Sequence, residues 1–238
     1  MIEAGAAVAE RARARLRPAS TAVVAVAGPV AVGKSTLAAD VAEALRSAGT
    51  SAEVVSTDGF LYSSAELSAR GLVARKGFPE SYDVDALRRF LAAIRDAVDR
   101  AHEVAVPVYS HETYDIVPGE RHPVPPSDVL VLEGLNALYA TTGLVDLGVY
   151  VDAPLEVIET WYVERFLGLC AAAEPGSFYS HFDGLDPVAL ASSAREVYRA
   201  INLPNLLDHI APSRDLADVV IEKRPDHAVG DVVDVARR

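Results

Sequence analysis

The chain has 238 residues, half of them hydrophobic, with 34 acidic against 22 basic residues and a formal charge of −12. That length allows one large or two small domains, with a sizeable core, and the acidic balance argues against a general nucleic-acid binder. Cys170 is the sole cysteine, so an intrachain disulfide is excluded and a reducing, cytoplasmic setting is expected. The longest apolar run, residues 22–32, is too short to span a bilayer and contains Gly28 and Pro29. Arg11, Arg13, Arg15 and Arg17 break any leader-like apolar stretch near the start.

Residues 4–16 read as an Ala/Arg-rich surface helix. Residues 22–27 form an apolar strand, and a helical run follows at 35–48. Between them stands Gly28-Pro29-Val30-Ala31-Val32-Gly33-Lys34-Ser35, followed by Thr36. This fits the Gly-x4-Gly-Lys-Ser/Thr pattern in its strand–loop–helix setting. The glycines let backbone N–H groups curl toward phosphate oxygens, and the helix adds its positive end. Lys34 would reach the β- and γ-phosphates of a nucleoside triphosphate, and the Ser35 hydroxyl would ligate Mg²⁺.

Further strands are expected at 53–56, 103–106, 129–132, 147–151 and 219–221, mostly short, Val-rich and continuous, as for parallel strands buried on both faces. Helices are expected at 85–101, 154–169, 187–199 and 204–210. The alternation implies an α/β fold, a wound and mostly parallel sheet with helices on both faces. Residues 63–83 and 171–187 read as long irregular stretches of the kind that serve as lids or substrate loops.

Three positions on this frame suggest chemistry. Asp58 follows the second strand, at the carboxyl edge where ligands of open α/β sheets bind, although Asp-Gly also favours a plain turn. Glu133 ends the apolar strand Val129-Leu130-Val131-Leu132, a Walker B-like arrangement near the metal site. Tyr162 and Arg165 are three apart on one helix face, and an Arg delivered by a lid can neutralise a transferring phosphoryl group.

With these strings in view, the chain resembles the bacterial type I pantothenate kinases from about residue 22 onward. The likeness is carried by the phosphate loop, by Ser56-Thr57-Asp58-Gly59-Phe60-Leu61 and by Lys76-Gly77-Phe78-Pro79-Glu80-Ser81-Tyr82-Asp83. It continues through Pro107-Val108-Tyr109-Ser110-His111, Leu132-Glu133-Gly134-Leu135-Asn136 and Tyr150-Val151-Asp152-Ala153-Pro154. Trp161-Tyr162-x-x-Arg165-Phe166 and Ile201-Asn202-x-x-Asn205-Leu206 complete it. Uridine kinases and phosphoribulokinases share the loop and architecture but not the whole series.

The resemblance implies a P-loop three-layer sandwich, a single kinase domain over 1–238 with an N-terminal helix in 1–20, and a helical lid in 154–187. It implies ATP and Mg²⁺ as cofactors and pantothenate as the small-molecule substrate, phosphorylated on its primary hydroxyl. Asp58 would be the base, Lys34 and Arg165 would hold the triphosphate, and Ser35 with Glu133 would serve the metal. Tyr109, His111, Tyr162 and Asn205 would bind pantothenate, with Phe166, Phe178, Tyr179 and Phe182 as an aromatic wall. His227 matches a position near the adenine. Ala39 replaces a basic residue linked to feedback by coenzyme A, which implies weakened or absent feedback inhibition. A homodimer is expected, with no nucleic-acid or membrane partner. The alternatives are a paralogue acting on a nucleoside or another hydroxylated metabolite and a nucleotide-binding regulator.

Overall fold

The computed structural model describes residues 1–95 and 104–235. Eight strands are described, β1 Ala22–Ala27, β2 Ala52–Ser56, β3 Val104–Ser110, β4 Asp115–Val124, β5 Val129–Glu133, β6 Leu147–Asp152, β7 Val219–Lys223 and β8 Val229–Asp234. The main helices are α1 Ile2–Arg13, α2 Lys34–Ser47, α3 Ser64–Ala69, α4 Val84–Arg95, α5 Leu155–Ala171 and α6 Pro187–Val197. Six strands form one sheet in the order β2-β5-β1-β6-β7-β8, parallel throughout except for β8. The α/β expectation therefore holds.

β1 lies at the centre of the sheet because both of its faces are apolar. Val23, Ala25 and Ala27 enter one core with Leu130, Leu132, Tyr150, Phe90 and Leu91. Ala22, Val24 and Val26 enter the other with Val131, Val149, Leu37 and Val41. The period of two sends alternate side chains to opposite layers, and a strand covered on both sides reads as a continuous hydrophobic run. Helix α4 buries Leu87, Phe90, Leu91 and Ile94, one stripe at helical spacing. Helix α1 packs on α2 where Gly5 approaches Asp40 closely; a Cβ there would stand 2.7 Å from the Asp40 Cβ. Arg11 fastens α1 to β8 through two 2.7 Å hydrogen bonds to Asp234.

Several expectations need correction. The strand placed at 103–106 is not part of the parallel sheet: β3 pairs antiparallel with β4 in a separate two-stranded hairpin. Glu103 and the end of the helix placed at 85–101 lie outside the described residues. The stretch 63–83 is not irregular, since α3 opens it with a capping box in which Ser63 and Glu66 satisfy each other's backbone N–H. Between 187 and 210 the helical path widens into two π turns, Tyr198–Asn202 and Leu206–Ile210. Such turns recur at functional sites, and these two flank the buried Asn205. Among the described residues no helix is long and apolar enough to cross a membrane.

Candidate active site

β1 ends into the loop Gly28–Gly33, and α2 starts directly at Lys34. Gly28 has φ +146° and packs so tightly on the Val151 carbonyl of β6 that a Cβ would collide with it. Gly33, at φ +95°, is the N-cap of α2. Ala31, at φ +62°, takes a left-handed conformation that an alanine adopts at a cost. These reversals roll the chain into a cup at the helix N-terminus, where N–H groups and the helix dipole favour an anion.

The buried Lys34 donates from Nζ to the Pro29 carbonyl at 2.7 Å. Burial holds its pKa down at about 8, against the attraction of Glu133 and Asp58. The exposed Ser35 donates its hydroxyl to Glu133 Oε2 at 3.2 Å. Glu133 ends β5 between Val26 of β1 and Ser56 of β2, so the sheet register places it beside the loop. The next residue is Gly134, where a Cβ would collide with the Thr57 hydroxyl, so the ends of β5 and β2 approach closely there.

Asp58 stands on the short 3-10 turn Thr57–Phe60 after β2, its N–H held by Ser56 Oγ at 3.3 Å. Burial and then Glu133 raise its pKa above the ordinary carboxylate range; His111, Lys34 and Arg165 pull the other way. The groups suggested from four separate segments thus share one electrostatic site at the carboxyl ends of β1, β2 and β5.

The hairpin supplies the next wall. Tyr109 and His111 meet edge to face at 5.2 Å between ring centroids. Tyr114 lies 6.2 Å from Tyr109 and stacks on Phe178 at 4.6 Å and 21°. A backbone bond from Phe178 N to Glu112 O at 2.9 Å ties the hairpin tip to the 3-10 turn Phe178–Phe182. That turn packs on α5, with Phe166 5.7 Å from Tyr179 and 5.0 Å from Phe182. Phe166 is buried with Val163 and Ala194 in a small core, so it supports the aromatic wall from behind. Tyr162 leans on Tyr198 at 5.5 Å, and burial raises its hydroxyl pKa. Arg165 is exposed and acts on Lys34, Asp58, Tyr114 and Tyr179 through its charge. Asn205 donates to the Gly77 carbonyl at 2.8 Å, while its buried Oδ1 has no hydrogen-bond partner among the described residues.

Two residues of this site escaped the sequence reading. Lys76 donates to the Tyr114 carbonyl, and its Nζ lies 4.4 Å from the Tyr114 ring centroid and 5.2 Å from that of Tyr109. Burial lowers its pKa, and Asp115 and then Asp58 raise it. Tyr114 itself has φ +55° at the hairpin turn. A signal for Lys76 was present: the chain has lysines only at 34, 76 and 223. His227, by contrast, is exposed on the turn between β7 and β8 and stacks on Trp161 at 4.2 Å. It adjoins the phosphate loop through Lys223, whose Nζ lies 4.9 Å from the Trp161 ring centroid.

Residues 23–166 match the model of the phosphoribulokinase / uridine kinase family. The chain is 46% identical over 216 residues to a pantothenate kinase of Mycobacterium sp. (strain KMS), covering 87% of this chain and 68% of the relative. It is 48% identical over 217 residues to a pantothenate kinase of Corynebacterium glutamicum (strain R), covering 87% and 66%. Among solved structures, a protein named as a candidate fructose transport system kinase from Silicibacter sp. TM1040 superposes with TM-score 0.71 at 26% identity, over 90% of this chain and 95% of that one. D-glycerate 3-kinase from Cryptococcus neoformans var. grubii gives TM-score 0.68 at 15% identity, over 98% and 97%, a likeness of fold. Kinases of this family use ATP, and the phosphate loop here has the form such use requires. The chain belongs to the phosphoribulokinase / uridine kinase family and, within it, groups with the pantothenate kinases.

Proposed function

We propose that this protein transfers the γ-phosphoryl group of ATP to the primary hydroxyl of pantothenate, the first step toward coenzyme A. The carrying observation is that Asp58, after β2, lies within electrostatic reach of Lys34 of the phosphate loop, of His111 and of Arg165, and Lys34 within reach of Arg165. The relatives named pantothenate kinase, at 46% and 48% identity, support this acceptor.

In this reading the loop amides and Lys34 hold the phosphates, and Arg165 approaches the γ-phosphate from α5. The substrate hydroxyl attacks the γ-phosphorus, its proton passes to Asp58, the bond to the bridging oxygen breaks, and ADP leaves. Such transfer is mainly positioning and charge stabilisation. The raised pKa of Asp58 brings the base nearer to neutral pH, which favours proton transfer. Ser35 and Glu133 offer a hydroxyl and a carboxylate oxygen, the hard donors Mg²⁺ prefers when the phosphates complete its shell. Held by Ser35 and Glu133, Mg²⁺ would supply positive charge against the phosphates.

Tyr109, His111, Tyr162 and Asn205 would bind the polar groups of pantothenate, with Phe166, Phe178, Tyr179 and Phe182 around them. His227 would lie toward the adenine. Residues 154–187 would act as the lid of a single kinase domain, and the protein would work as a cytoplasmic homodimer. The structural likeness to a candidate fructose transport system kinase favours one second reading, another hydroxylated acceptor on the same machinery.

Asp58→Asn tests the assignment. Removing a positioned base lowers kcat about 10²- to 10⁴-fold, with ATP binding changed less than about threefold. Normal turnover in that variant would refute the role of Asp58.

A further inference from the structure

Lys223 is a buried lysine to which the proposed chemistry gives no task. It ends β7, is 7% exposed, and donates from Nζ to the Val32 carbonyl at 3.1 Å, across 191 residues of sequence. A Cβ built on Gly33 would stand 3.2 Å from that same nitrogen. On another side lies the Trp161 ring, itself stacked against His227. Among the described residues no carboxylate pairs with this ammonium.

An ammonium taken out of water without a counter-charge is costly; a fold usually pairs it or dispenses with it. Here the partners are a carbonyl oxygen and an aromatic face. Both attract a cation, but neither neutralises it. The arrangement makes sense if the counter-charge arrives with the ligand. Val32 and Gly33 are the last residues of the phosphate loop before Lys34. Holding the Val32 carbonyl toward Lys223 turns the opposite side of that peptide, the Gly33 N–H, away from it. Gly28 against the Val151 carbonyl fixes the start of the same loop. The loop is therefore held at both ends by the neighbouring strands β6 and β7.

We propose that Lys223 is a positioning residue of the phosphate loop, fixing the Val32–Gly33 peptide for phosphate binding and supplying positive charge that the bound phosphates complement. This rests on the reading of Gly28–Gly33 with Lys34 as the cradle for ATP phosphates. It adds a task for the C-terminal strand pair, which carries none of the groups assigned to the acceptor.

The test uses the full chain with Lys223→Met and Lys223→Arg. Binding of ADP and of inorganic triphosphate is measured by calorimetry, alongside Tm and the KM values for ATP and pantothenate. Loss of a charge-assisted hydrogen bond predicts that Lys223→Met weakens both ligands by about 10- to 100-fold. The KM for ATP should rise in step, while that for pantothenate changes less than about threefold. Tm should stay level or rise, because a buried unpaired charge is replaced by an apolar chain of similar length. Lys223→Arg should recover most of the affinity. ADP and triphosphate binding by Lys223→Met at wild-type strength would overturn the proposal. Loss of ADP affinity alone would also overturn it, by assigning Lys223 to the base rather than the phosphates, as would a general fall in Tm with both KM values rising together. A wild-type protein that binds neither ligand would instead overturn the kinase reading.

Discussion

Gly59 couples the proposed base to the acceptor wall, and adding one methyl group there should uncouple them. The residue follows Asp58 on the turn Thr57–Phe60, and its Cα faces β3. A Cβ at Gly59 would lie 2.5 Å from the Pro107 carbonyl oxygen, where real contacts stay above 3.0 Å. The turn and the hairpin must therefore separate by about 0.5 Å in Gly59→Ala. Overpacking of this size costs about 2 kcal/mol, or roughly 4–8 °C in Tm for a chain of this length. The functional effect should be larger, because Asp58 precedes Gly59 while Tyr109 and His111 follow Pro107 on the hairpin. A displacement near 1 Å can cost about 10²-fold in rate, so half of it predicts a fall in kcat of about tenfold. ATP binding should hold within about threefold, since the phosphate loop joins β1 to α2 and a Cβ at Gly59 meets only Pro107. Gly168→Ala is the counterpart: a Cβ there meets nothing within 4 Å, and Gly168 lies inside α5. That exchange should raise Tm by roughly 1–4 °C through helix propensity. Calorimetry and steady-state kinetics on the two variants decide the matter. Equal Tm and unchanged kcat in Gly59→Ala would refute the close coupling.

Further outcomes follow from the same site. The pH profile of kcat/KM should be bell-shaped. Its acid limb lies above the ordinary carboxylate range, because Asp58 must lose its proton and burial raises its pKa. Its basic limb begins near pH 8, where Lys34 loses the proton that burial makes easier to lose; a flat profile from pH 5 to 10 would contradict this. Phe178→Ala removes the ring stacked on Tyr114 at 4.6 Å. An aromatic pair worth about 0.5–1.5 kcal/mol predicts a 2- to 12-fold rise in the KM for the acceptor, with that for ATP unchanged. Ser35→Ala removes one of the two proposed oxygen donors and should raise the Mg²⁺ concentration for half-maximal rate, whereas chelation should abolish turnover of the wild type.

The parts of the site visible in the sequence were those carried by local pattern. The phosphate loop, Asp58 and Glu133 each follow an apolar strand, and a parallel sheet brings all strand ends of that kind to one edge. The hairpin was misread because β4, Asp-Ile-Val-Pro-Gly-Glu-Arg-His-Pro-Val, holds Pro118, Gly119 and Pro123. Those residues signal a break, yet a strand with a free edge tolerates proline. Tyr114 gained its place from that hairpin and so was missed with it. Lys76 stood in a recognised string but had no role until the hairpin laid two tyrosine rings beside it. Lys223 could not be read at all, since its partner Val32 lies 191 residues away and the contact exists only once β7 joins the sheet.

The most direct test of the central claim is ADP release from Mg-ATP with and without pantothenate, beside uridine and ribulose 5-phosphate. The account predicts turnover that depends on pantothenate and is lost in Asp58→Asn. Turnover with another acceptor and none with pantothenate would contradict the assigned substrate, and silence with every acceptor would contradict the proposed chemistry.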